Sequence, residues 1–171
     1  MYNVRTSAGG WWKGEHMARI YTTTTIARPI EQVFAYVSTP GYWPEWHPSS
    51  LGVSGATDHS LAVGEQVTEE FRVAGRAGRA RWTVRERTAP VRWVIEGTIE
   101  GRGSGGTVAY MLTPRGATTY FEREFTYPTP TPLFKLLNLL VIRWRVRAES
   151  TEALRRLKAR LEATTAAPRA T

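Results

Sequence analysis

The run Thr118-Thr-Tyr-Phe-Glu-Arg-Glu-Phe-Thr-Tyr127, followed by Pro128-Thr-Pro-Thr-Pro132, decides how this chain is assembled. Phe121, Arg123, Phe125 and Tyr127 alternate with Tyr120, Glu122, Glu124 and Thr126, which is the two-residue period of a β-strand. The prolines then end the strand, because proline has no amide to donate to a sheet. Beyond them the period becomes helical, with Thr131 placed as N-cap and Pro132 at the first helical position. From Pro132 to about Leu161, one stripe contains Leu136, Leu137, Leu140, Trp144, Ala148, Thr151, Leu154, Leu157 and Leu161. Leu133, Phe134, Leu139, Val141 and Ile142 widen the apolar face of the first half, and Arg145, Arg147, Arg155, Arg156 and Arg160 occupy the polar side of the second.

Upstream, Arg19–Ala27 is β-branched and aromatic, as a strand requires. Pro29 suits the first turn of a helix through Val33, Phe34 and Val37, which Thr39-Pro40-Gly41 ends, and Tyr42–Trp46 makes a further helical turn. A short segment at Leu51–Ser54 and strands at Gln66–Val73, Arg79–Thr88, Arg92–Ile99, Thr107–Thr113 and Thr118–Tyr127 follow, joined by short turns, with Gly101–Gly106 read as a loop. Successive strands with short connections predict an antiparallel meander. Residues 1–17 show neither period and read as a flexible N-terminal extension, 18–163 as one domain, and 164–171 as a disordered tail.

The 171 residues are enough to bury a core. There is no cysteine, so disulfides and thiol chemistry are excluded, and the three histidines have no zinc-ligand spacing, so neither a metal nor another cofactor is expected. The formal charge of +8 favours anionic partners, but the basic residues are spread over every segment and interleaved with Glu, without a nucleic-acid-binding motif. No signal peptide is visible, and the longest apolar stretch, Leu133–Ile142, is far short of the ~20 residues of a membrane span. A cytoplasmic protein, monomer or homodimer, is expected.

Several motifs carry a resemblance: Ile26-Ala-Arg-Pro29 with Val33-Phe34-Ala-Tyr-Val37, Trp43-Pro-Glu-Trp46-His-Pro48, Trp82-Thr-Val-Arg-Glu86 before Pro90, Tyr110-Met-Leu-Thr-Pro114, and Leu154-Arg-Arg-Leu157-Lys. In these and in element order the chain resembles the START/Bet v 1-like (SRPBCC) superfamily, and within it the polyketide cyclase/dehydrase and lipid-transport group. The resemblance implies an α+β helix-grip fold: a curved antiparallel sheet of about seven strands wrapped around the C-terminal helix, with two short helices after the first strand. It implies a cavity between sheet and helix, and places His47 near its entrance. The superfamily includes carriers and cyclases alike, so fold does not decide activity.

If the large apolar residues mark the inner face, it carries Val67, Phe71, Trp82, Val84, Trp93, Ile95, Tyr110, Leu112, Phe121 and Phe125. The same parity turns Glu69, Glu86 and Arg123 inward. The expected ligand-binding set is Trp43, Trp46, Glu69, Phe71, Trp82, Trp93, Ile95, Tyr110, Leu112, Phe121, Arg123, Leu137, Leu140 and Trp144. Buried charges need a partner, so Arg123 is expected to face Glu69 or a ligand carboxylate or phenolate.

Three functions remain open. One is binding of a hydrophobic small molecule such as a lipid, quinone or polyketide. The second is cofactor-independent polyketide cyclisation or dehydration, with Arg123 stabilising an anion and Tyr110 or His47 moving the proton. The third is transient membrane or protein contact through Leu133, Phe134, Leu139 and Ile142 near Arg143 and Arg145.

Overall fold

Seven strands form one antiparallel sheet in the order β1-β7-β6-β5-β4-β3-β2. They are β1 (Met17–Ile26), β2 (Ser50–Gly55), β3 (Gln66–Val73), β4 (Arg76–Thr88), β5 (Arg92–Ile99), β6 (Gly103–Arg115) and β7 (Thr118–Pro128). After β1 come α1 (Ile30–Ser38), a 3-10 turn (Pro40–Tyr42) and α2 (Trp43–Trp46), and after β7 comes α3 (Arg143–Ala163). This computed structural model describes residues 17–73, 76–101, 103–129, 131 and 141–163. The expected helix start at Pro132, with Leu137 and Leu140, lies outside them, as do the N-terminal extension before Met17 and the tail from 164.

β1, first in sequence, extends the meander at the β7 edge, pairing along that last strand from Met17 opposite Pro128 to Ile26 opposite Thr119. Bulges interrupt the ladders between Ser50 and Gly52, between Val84 and Glu86, and between Gly97 and Thr98. Each bulge bends its strand, which lets the sheet curve around a helix. The bulge at Arg85 corrects one expectation. It reverses the face parity of β4, so Glu86 lies outside, exposed and paired with Arg92 at 2.8 Å. Arg87 takes the inner side instead, its guanidinium 5.5 Å from the Phe34 ring. The glycine-rich segment is also corrected, because its strand begins at Gly103 and Gly106 pairs with Gly97. Two close approaches explain such small residues. A Cβ on Gly97 would lie 2.6 Å from the Trp82 ring, and one on Gly78 2.7 Å from Phe71. Each aromatic ring lies flat over the glycine opposite it, and the two rings together pave part of the inner face.

Helix α1 buries Val33, Phe34 and Val37, the stripe expected from their spacing. It stops at Thr39 because a residue before proline avoids helical dihedrals, and the Ser38 and Thr39 hydroxyls bond back to the carbonyls of Phe34 and Ala35 at 2.6 and 2.7 Å. The core joins α1, α2, the inner sheet face and the C-terminal half of α3, with Trp46, Trp93, Phe121 and Leu157 fully buried. Each such side chain contributes about 1.5–3 kcal/mol by leaving water. Glu162 pins the end of α3, accepting from the Ala27 amide at 2.7 Å and from Lys158 Nζ at 2.8 Å.

Candidate functional site

The N-terminal half of α3 does not pack directly on the sheet. Between them lies a cavity of about 440 Å³, bounded also by the residues following α1. Its walls are mostly apolar: Phe71, Trp82, Ile95, Val108 and Phe125 from the sheet, Ile142 and Val146 from the helix. The polar groups are few: His47, Ser49, Glu69, Tyr110, Arg123, Glu149 and Ser150. A volume of this size, apolar with convergent polar groups, suits an organic ligand.

Arg123 organises the polar end. It is 4 % exposed, and strand alternation turns it inward from β7 opposite Tyr110 of β6. Its guanidinium donates to Ser150 Oγ at 2.8 Å and to His47 Nε2 at 3.1 Å, and lies 5.6 Å from the Phe125 ring centre. All these partners are uncharged. Among the described residues no carboxylate is ion-paired with it, and its buried Nε–H has no acceptor. A guanidinium held this way bears most of the cost of leaving water without the compensation of a counter-ion.

Because arginine only donates, His47 Nε2 must be its unprotonated nitrogen, which puts the proton on Nδ1, 3.3 Å from Ser49 Oγ. Burial, then the neighbouring Arg123 charge, pushes the imidazole pKa down to about 3. The lone pair a general base needs is therefore engaged by Arg123 in this structure. Tyr110 sits among Trp93, Trp46 and Phe121, with ring centres 5.6, 6.2 and 5.2 Å away. Burial pushes its phenol up to about 12, against the pull of Arg123, so it stays protonated.

Glu69 is the other charged group that parity turned inward, and it is 7 % exposed. Its Oε2 accepts from Trp82 Nε1 at 2.8 Å. Burial raises its pKa, opposed by Ser50, Trp82 and the Arg123 charge, while Glu149 adds to the rise. The cavity thus sets one cation, two carboxylates (Glu69 and Glu149) and a few neutral polar groups in walls that are mostly apolar.

Of the expected ligand-binding residues, Trp43, Glu69, Phe71, Trp82, Ile95, Tyr110 and Arg123 line this cavity, and so does His47. Trp46, Trp93, Leu112 and Phe121 are buried in the core behind it. Trp144 is corrected: it points to solvent, 74 % exposed. The inward stripe of α3 here is Ile142, Val146, Glu149, Ser150 and Ala153, not Trp144, Ala148 and Thr151. Ile142, weighed as a membrane contact, a dimer contact or a residue closing the cavity, lines the cavity here. The sequence reading missed Ser49, Glu149 and Ser150, and the only signal was helical spacing of Ser150 from Val146 and Ala153. Among the described residues no cluster of three or more His, Asp or Glu side chains could hold a metal ion.

The family model described as polyketide cyclase/dehydrase and lipid transport matches residues 17–162. Among solved structures, a protein from Thermus thermophilus superposes with a TM-score of 0.69 at 14 % identity, covering 87 % of this chain and 100 % of its own. Ms6760 from Mycobacterium smegmatis gives 0.63 at 19 % identity, over 85 % and 92 %. A START superfamily protein from Mycobacterium smegmatis gives 0.58 at 16 %, over 88 % and 99 %. At such identities the likeness is one of fold. No curated protein matches the chain at a significant level.

Proposed function

Because the chain belongs to the polyketide cyclase/dehydrase and lipid-transport family, we propose that its cavity binds an apolar small molecule with an acidic or strongly hydrogen-bond-accepting end. The family supports a hydrophobic ligand-binding domain. The observation that carries the finer reading is Arg123: a buried guanidinium, bonded only to neutral groups, at the polar end of an otherwise apolar space. A carboxylate, phenolate or enolate beside it supplies the missing counter-charge. Tyr110, protonated at neutral pH, donates a further hydrogen bond.

Native mass spectrometry before and after denaturation tests whether a passenger is carried. Two fluorescent probes test its chemistry: anilinonaphthalene sulfonate, an apolar anion, and N-phenylnaphthylamine, the same ring system without the charge. Selective loss of the anion in Arg123→Met supports the reading, and equal affinities in wild type and variant refute it.

A second reading rests on Glu69, a weakened acid in the same cavity as the cation. Ionised Glu69 takes a proton from the carbon next to a substrate carbonyl, and the electron pair moves onto the carbonyl oxygen against Arg123. Collapse of that enolate expels a β-hydroxyl, which leaves as water with the proton from Glu69. This is a dehydration without cofactor, in which Glu69, rather than Tyr110 or His47, carries the proton. Loss of turnover in Glu69→Gln with probe binding retained is its expected signature.

A further inference from the structure

We propose that the outer face of α3, centred on Trp144, is a docking surface for anionic lipid bilayers beside the cavity. The argument begins with Trp144, which is 74 % exposed on a helix whose opposite face lines the cavity. Val141, one turn earlier, is also exposed. Trp144 borders an open groove formed with Arg147, Ala148, Thr151, Glu152 and Arg155. A tryptophan turned to water has no packing role, whereas its amphipathic ring is favoured where hydrocarbon meets headgroups.

The charges around it have the matching arrangement. Arg143 and Arg145 lie about 100° to either side of Trp144 around the helix, and Arg147 about 60° away. All three are exposed and, among the described residues, form no ion pair. Farther along, Arg155 and Arg156 are both tied to Glu152, at 2.7 and 2.8 Å, and Lys158 to Glu162. Along α3, the unpaired cations are thus concentrated around the exposed tryptophan. An apolar strip with basic flanks fits a surface-lying amphipathic helix, its ring at the acyl boundary and its guanidinium groups on lipid phosphates. A nucleic-acid surface instead needs a basic groove that tracks a backbone. With Trp144 on a bilayer, the opposite face of the same helix still roofs the cavity, so an apolar ligand passes between membrane and protein over a short path. The proposal does not depend on which ligand the cavity holds.

Co-sedimentation of the full chain with mixed phosphatidylglycerol–phosphatidylcholine vesicles, against phosphatidylcholine alone, is the test. Wild type is expected to pellet with the mixed vesicles only, and to be released by salt. Trp144→Ala should weaken partitioning about tenfold. Replacing Arg143, Arg145 and Arg147 together by Gln should weaken it roughly 100-fold, at about fivefold per charge. Circular dichroism and melting should not change, since these side chains face water. On mixed vesicles the fluorescence difference between wild type and Trp144→Phe isolates a blue-shifted Trp144. No pelleting, equal pelleting on neutral vesicles, or unchanged pelleting of the variants overturns the proposal. So does binding of a single-stranded oligonucleotide that the same variants abolish while vesicles remain unbound.

Discussion

Replacing Arg123 by methionine tests whether the buried guanidinium serves the ligand or the fold. Methionine keeps most of the stem and removes the charge, so cavity effects are small. Two charge-assisted hydrogen bonds are lost, to Ser150 at 2.8 Å and His47 at 3.1 Å, each worth about 1.5–3 kcal/mol. Against this, the variant no longer buries an unpartnered Nε–H, which relieves about 1–3 kcal/mol. It also avoids desolvating an ion that has no direct counter-charge, an effective penalty of several kcal/mol. The opposing effects nearly cancel. Urea denaturation of ligand-free protein should therefore place Arg123→Met within about 1 kcal/mol of wild type, or above it.

Binding should behave differently. An anionic ligand group loses one charge-assisted contact, about 2 kcal/mol, so affinity for anilinonaphthalene sulfonate should fall roughly 30-fold while N-phenylnaphthylamine is unaffected. An independent readout is the His47 imidazole, followed by NMR titration. Burial alone still depresses it in the variant, so its pKa should rise from about 3 without reaching the ordinary 6.5. A loss of more than about 3 kcal/mol in the ligand-free variant would refute the reasoning, because Arg123 would then hold the fold together.

The remaining predictions concern its neighbours. His47 binds its proton less readily in the folded protein than in the unfolded chain, so between pH 6.5 and about 3 the unfolded state takes up more protons and stability falls as pH falls. His47→Gln, which still accepts from Arg123, should remove much of this acid-side loss, a few kcal/mol, in urea melts across that range. Glu69 has the opposite sign: its raised pKa adds stability below the ordinary 4.5, and that contribution is lost as pH rises through the folded value. Glu69→Gln should therefore be more stable than wild type at neutral pH, with the Trp82 hydrogen bond kept through the amide oxygen. Gly97→Ala brings a Cβ to 2.6 Å from the Trp82 ring and should cost about 1–3 kcal/mol while narrowing the cavity for both probes. Gly52→Ala, whose Cβ meets nothing within 4 Å, should cost less than about 0.5 kcal/mol.

The inner face of the sheet was legible because a strand has a rigid period: once Phe121 and Phe125 are inward, Arg123 must be too. Glu69 followed from Val67 and Phe71 in the same way. The reasoning failed at Glu86, because one extra residue at Arg85 reverses the parity and nothing about Val84-Arg-Glu86 signals a bulge. The error on α3 is more instructive. Trp144–Ala148–Thr151 and Val146–Ser150–Ala153 are both helical stripes, and both lead into Leu154 and Leu157. Choosing the bulkier one is sound for a helix that packs on a core, as the lower half of α3 does. Its upper half roofs an open space, where the inward side chains need not fill volume and a serine can turn in to meet Arg123. The large tryptophan then turns out, at a cost in exposed apolar surface that packing alone does not explain. Packing alone therefore did not choose this placement, and the serine that meets Arg123 and the tryptophan of the proposed docking surface lie back to back on this helix.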